Sequence, residues 1–158
     1  MSDSLNLQKS RSCAFTGHRK VGENFNLTLL EMTVEIFIFE GIVNFYCGMA
    51  MGFDLIAATA VLKAKEKHPE IKLIACIPCA GQERYYPAEE KNKYGEILAR
   101  CDKIERIGES YYKGCMLVRD RFMVDNCERV LAYMDKNVGG TAYTVRYARS
   151  KSREVYFL

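Results

Sequence analysis

Long hydrophobic runs are missing from this chain. The longest apolar stretches, such as Leu55–Leu62, fall well short of the roughly 20 residues a membrane-spanning helix needs. The first ten residues, MSDSLNLQKS, are polar and hold no apolar core of a secretory signal, so the protein is read as cytoplasmic, with no membrane partner. A strong excess of one charge is missing too. Lys plus Arg number 23 against 20 acids, a net charge of +3 that is too mild to call for nucleic acid or an anionic surface. Histidine is scarce, with only His18 and His68, each alone. No GxGxxG follows the first apolar run and no GxxxxGK[ST] occurs anywhere, which leaves ordinary NAD binding and P-loop ATP hydrolysis unsupported. Internal repeats and low-complexity segments are also absent.

What is present describes an ordinary globular chain. With 158 residues, 49% hydrophobic and 27% charged, one folded domain is expected, over residues 11–158 after a flexible stretch at 1–10. Seven cysteines, an odd number in a chain of this size, read as reduced thiols acting as small hydrophobes; Cys13, Cys47, Cys101 and Cys127 lie in or beside apolar segments. Only Cys76-Ile-Pro-Cys79 has a suggestive spacing. A redox pair normally opens a helix and a zinc site needs two further ligands nearby, whereas this pair closes an apolar strand. Neither a metal nor a disulfide is expected there, and no cofactor is assigned.

The hydrophobic pattern alternates strand and helix from end to end. Strands are expected at 11–16, 42–47, 71–77, 103–107, 129–134 and 154–158, with helices over 25–40, 55–67, 87–100, 116–127 and 142–150. Asp54 is a plausible N-cap for the second helix, and Pro87 opens the third. Strands alternating with helices imply βαβ crossovers, hence a Rossmann-like α/β fold with a mainly parallel sheet of about six strands covered on both faces. In such sheets ligands bind beyond the carboxyl ends of the strands, where strand order reverses.

Those strand ends carry the unusual residues. Thr16, Gly17, His18 and Arg19 follow the first strand. Gly48, Met49, Gly52 and Asp54 lie between the second strand and its helix. Pro78 and Gln82 follow the third, and Gly139, Gly140 and Thr141 follow the fifth. Glycine turns let backbone N–H groups approach an anion, and a helix N-terminus adds partial positive charge. Arg119, on the fourth helix, offers a guanidinium fork for phosphate oxygens unless it pairs with a neighbouring acid such as Asp120. Tyr85 and Tyr86 are suited either to stacking on a base or to packing a helix start.

Five segments in this order, TGHR, GMAMGFDLIAA, IPC with a following glutamine, CMLVRDRFMVDNC and GGTAYTV, resemble the SLOG (SMF/DprA–LOG) superfamily, and within it the bacterial and phage YpsA-like group. The resemblance runs from Cys13 to Leu158 and implies a Rossmann-like fold with a nucleotide or nucleotide-derived ligand at these loops. It also implies alternatives, because the LOG group cleaves a ribose–base bond and the DprA group binds single-stranded DNA. The LOG group's catalytic glutamate falls at Thr144 here, and Val138 stands where its motif has proline. The reading that follows is a binding or sensor protein for a nucleotide-like small molecule. A nucleotide hydrolase drawing its acid from Asp54, Asp120 or Asp125 is second. A single-stranded nucleic-acid binder is third, disfavoured by scattered and balanced charge. A homodimer is left open.

Overall fold

A computed structural model describes residues 8–158 of the chain. Of the expected flexible stretch, residues 1–7 lie outside the described residues, and residues 8–10 are helical. Six strands follow: β1 (Ser12–Gly17), β2 (Asn44–Cys47), β3 (Lys72–Ile77), β4 (Lys103–Arg106), β5 (Arg129–Tyr133) and β6 (Glu154–Phe157). Between them run α1 (Leu27–Phe39), α2 (Phe53–Lys65), α3 (Ala88–Arg100), α4 (Cys115–Asp125) and α5 (Gly139–Ser150). The expected doubly covered α/β fold is what the chain adopts. All pairings are parallel, in the order β4-β3-β2-β1-β5-β6, so the chain works outward from β1 to one edge and then crosses back to β5 on its other side. The switch point therefore lies between β1 and β5, whose register pairs Cys13 with Arg129 and Gly17 with Tyr133.

The two faces are covered unequally. On one, Leu30, Val34 and Phe37 of α1, the small residues of α2, and Tyr94 and Ile97 of α3 pack on Cys13, Phe15, Phe45 and Leu73. The other carries a smaller cluster, in which Met123 and Val124 of α4 and Ala148 of α5 meet Ala14, Tyr46, Ile74 and Val130. β1 to β3 are buried almost throughout, as a sheet sandwiched by helices requires, whereas edge strand β4 is charged and mostly exposed.

All five helices start one to three residues from their expected positions, and three of these shifts bear on the site or on capping. α2 begins earlier, capped by Gly52 at φ +82°, so Asp54 lies inside the first turn and is not the N-cap. Pro87 is the cap of α3 rather than its first residue, and its ring fits there because that N–H would lack an intrahelical partner anyway. α5 begins three residues earlier than expected, so Gly139 and Gly140 form its first turn instead of a loop before it. α1 shows the conventional device, with Asn26 Oδ1 accepting from the Leu29 N–H at 2.9 Å.

Candidate functional site at the sheet switch point

The loops after β1 and β5, the start of α2 and the first turns of α4 and α5 converge above the switch point. They enclose a cleft of about 380 Å³. Of the residues singled out in the sequence, Thr16, Gly17, His18, Arg19, Asp54, Arg119, Gly139, Gly140 and Thr141 line it. Asp120 and Ala50 also line it; sequence reasoning left them out of the binding set. Gly48, Met49, Gly52, Pro78 and Gln82 do not line this cleft.

Each displaced residue has a structural task. Gly48 lies behind Arg119: a Cβ there would stand 2.7 Å from the guanidinium Nη1. Its carbonyl accepts from Arg119 Nη1 and, at 2.9 Å, from Gln82 Nε2, while Tyr94 donates to Gln82 Oε1 at 3.3 Å. Met49 is fully buried at φ +61°, its carbonyl accepting from Tyr86 at 2.9 Å; this packing role settles Tyr86, whereas Tyr85 is exposed. Gly52 sits so close to the β1 loop that a Cβ would fall 2.2 Å from the Arg19 carbonyl oxygen. Gly17, though in the cleft, is also required by packing, since a Cβ would lie 2.3 Å from the Phe53 ring. Pro78 turns the chain after β3, its carbonyl 2.7 Å from where a Gly108 Cβ would be. His18 ties the two switch-point loops together, its Nε2 3.1 Å from Asp135 and from the Lys136 carbonyl.

Arg119 is only 5% exposed and already committed on two nitrogens. Nη1 donates to Gly48 O, and Nε donates to Asp120 Oδ1 at 2.6 Å. The fork read from the sequence as open to phosphate is thus mostly held by protein; Nη2 remains as the nitrogen without an acceptor among the described residues. Burial pushes the guanidinium down, and the neighbouring Asp120 and Asp54 outweigh that and hold it charged. Asp120 Oδ2 in turn lies 3.2 Å from the hydroxyl of buried Thr144, which also reaches Gly140 O at 2.8 Å. A carboxylate from α4 therefore touches position 144, where the LOG group has its glutamate.

Asp54 is the group left unresolved. It is 5% exposed; Oδ2 accepts from the Ala50 N–H at 3.2 Å, and Oδ1 is buried with no partner. Burial pushes its carboxyl up to about 7, against the opposing pull of Arg119. Across the cleft, Val138 gives α5 no side-chain cap. The N–H groups of its first turn thus open toward the same space, with the positive end of the helix dipole behind them. A Cβ on Gly139 or Gly140 would meet nothing within 4 Å. Chemically the cleft offers N–H donors and a dipole for an anion at one side, and a buried acceptor at the other.

The seven cysteines are all free, and burial pushes Cys13 and Cys76 up to about 12. Among the described residues no three potential metal ligands of the Cys, His, Asp and Glu types stand together, and no helix is long and apolar enough to cross a membrane.

A parallel six-stranded sheet, wound outward from β1 in both directions with its cleft at the reversal, defines a Rossmann-like protein of the doubly wound type. More narrowly, residues 17–158 match the family model YpsA, described as the YspA SLOG family, and the chain belongs to that family. It is 25% identical to a UPF0398 protein of Halalkalibacterium halodurans, covering 92% of this chain and 79% of that one. Its identity to the uncharacterised SPbeta prophage-derived protein YoqJ of Bacillus subtilis is 29%, over 77% of this chain and 78% of that one. Among solved structures, DNA processing protein A of Streptococcus pneumoniae superposes with a TM-score of 0.66 at 22% identity, over 96% of this chain. This chain spans about half of that protein, 51% of its length. DNA processing protein A of Helicobacter pylori, described with a single-stranded DNA binding mode, gives 0.67 at 20% identity, over 98% of this chain and 67% of that one. These two likenesses establish the fold.

Proposed function

We propose that the switch-point cleft binds a nucleotide-like small molecule in the cytoplasm. Its phosphate lies on the first-turn N–H groups of α5, and a sugar or base donor points at Asp54. The observation that carries this reading is the orphaned Asp54 Oδ1, buried in the same cleft as an uncapped helix N-terminus. A buried acceptor without a partner costs about 1–3 kcal/mol, and a ligand hydroxyl or amino group would relieve that cost. Arg19 at the rim and Arg119 Nη2 within supply positive charge that Asp120 and the ionised fraction of Asp54 partly offset.

The test is native mass spectrometry of freshly purified protein, followed by calorimetric titration of nucleoside mono- and diphosphates. One class of phosphate-bearing ligand is expected to bind, with at least about tenfold loss in Asp54→Asn, equivalent to 1.4 kcal/mol. If no phosphate-bearing compound is retained or bound, the reading is wrong. Release of a free base during titration would move the protein to the hydrolase alternative, with Asp54 and Asp120 as the available carboxylates.

A second reading, single-stranded nucleic acid across the same edge, is favoured by a specific feature. Tyr85, Tyr111 and Tyr112 are exposed on the loops after β3 and β4, next in sequence to Arg84 and Lys113. Aromatic faces with adjacent cations are what a base-stacking surface needs. Both loops are charge-balanced, Glu83 beside Arg84 and Glu109 near Lys113, so this reading rests on the aromatic faces and on the two structural neighbours, both DNA processing proteins. Oligonucleotide binding that weakens steeply with salt and is lost in Tyr85→Ala/Tyr111→Ala would place this reading first.

A further inference from the structure

We infer that α1 is the contact helix of a two-fold dimer, its outer stripe Leu29, Met32, Ile36 and Phe39 packed antiparallel on the same stripe of a second copy. This rests on a different region from the cleft and stands independently of its ligand.

α1 has two apolar faces. Leu30, Val34 and Phe37 enter the core, as one amphipathic stripe should. On the opposite side Leu29, Met32, Ile36 and Phe39 are 43%, 56%, 54% and 92% exposed. A helix that is hydrophobic all round belongs in a buried position, so the outer stripe lacks its cover. The intervals along that stripe are three, four and three residues, the spacing of a helix seam that packs against another helix.

Charge and shape say which helix. α1 carries no Lys or Arg, and its acids are drawn back toward the protein body. Glu31 pairs with Lys63 at 2.9 Å, and Glu35 with His68 at 2.7 Å; Glu40, just past its end, meets Arg129 at 3.2 Å. With Glu31 and Glu40 paired to cations and Glu35 hydrogen-bonded to His68, the acids of α1 are engaged on the side away from the stripe, so two copies of it can meet across apolar side chains. The antiparallel arrangement also places the negative end of each helix dipole beside the positive end of the other. In that register Met32 opposes Ile36 of the second copy, and Leu29 opposes Phe39. A groove of about 430 Å³ runs beside the stripe, lined by Thr28, Met32 and Ile36 together with the charged Glu31, Glu35, Lys63 and Lys67. It lies where the Phe39 ring of the second copy would arrive, which accounts for an aromatic side chain standing 92% exposed. The stripe supplies an apolar centre of a few hundred Å², at the upper end of what a monomer exposes. The filled groove extends it toward the roughly 800 Å² per partner of a stable contact.

Sedimentation equilibrium of the full chain across micromolar concentrations should give the mass of two copies. Met32→Glu/Ile36→Glu should dissociate at least about 100-fold more readily, with an unchanged circular dichroism spectrum because both positions are exposed. Phe39→Ala, which introduces no charge, should weaken association in the same direction, while Ile104→Glu on the far edge strand should leave the dimer intact. A monomeric parent protein, or a dimer indifferent to the α1 substitutions, overturns the inference. So does a parent that stays monomeric while holding a foreign protein on this face.

Discussion

Two glycine-rich turns, Gly48–Gly52 and Gly139–Gly140, look alike in the sequence and behave oppositely in the structure. In the first, glycine is demanded by protein: Arg119 fills the space above Gly48, and the Arg19 backbone fills the space above Gly52. In the second, nothing of the protein comes within 4 Å of a would-be Cβ. Gly139 needs its positive φ of +78°, but Gly140 has neither that requirement nor a neighbour. A glycine that the protein's own packing does not require leaves room for something else, and that room lies over the N-terminus of α5. The same motif type thus marks a wall in one place and an opening in the other.

The comparison can be broken most forcefully at Arg119, the group that makes the first turn a wall. Arg119→Ala would leave the partly buried Asp120, 13% exposed, without its cation and would remove one donor from Gly48 O. Breaking a buried pair on one side costs about 3–5 kcal/mol. Chemical denaturation should show a loss of that order, where an exposed phosphate-binding arginine would cost little. Unchanged stability would mean that the first turn is not held by this side chain.

Asp54 sharpens the comparison through pH. Its carboxyl is held near 7 in the folded protein against an ordinary 3.8. Between those values the folded state binds more protons than the unfolded one, so stability is fully present below about pH 4. It falls as pH rises toward 7 and is level beyond. The expected loss amounts to a few kcal/mol at most, since one pKa unit is about 1.4 kcal/mol. Asp54→Asn should flatten this dependence and stabilise the protein at pH 8 while weakening the ligand. A denaturation midpoint that stays constant from pH 4 to 8 in the parent would refute the assignment.

The smallest effects come from a matched pair. Gly48→Ala should cost about 1–3 kcal/mol, because the added methyl must displace the guanidinium. Gly140→Ala should change stability by less than about 1 kcal/mol, or raise it slightly, because alanine suits a helix better. Nucleotide affinity, however, should drop about tenfold as the methyl enters the cleft. Equal thermal shifts in the two variants would erase the distinction between wall and opening.

Much of this molecule is legible in one dimension. Alternation of apolar runs with helical stretches determined the parallel sheet. The position of Thr16–Arg19 at the end of β1 and of Gly139–Thr141 after β5 determined that they share an edge, because parallel strands all end on one side. What only the tertiary structure decided is which partner each group meets. Arg119 and Gly48 are 71 residues apart, and no local pattern says that one guanidinium will close over one glycine. Asp120 becomes the ion partner of Arg119 although adjacent helix positions do not ordinarily face each other. Apolar spacing groups Phe39 with Leu30, Val34 and Phe37 on one face of α1, yet Phe39 stands 92% exposed on the other side. Burial of Leu30, Val34 and Phe37 on the sheet, leaving Leu29, Met32, Ile36 and Phe39 outside, followed only from how many helices the sheet's face could accommodate. Periodicity specifies the side of an element on which a residue stands, while packing in three dimensions specifies what, if anything, covers that side.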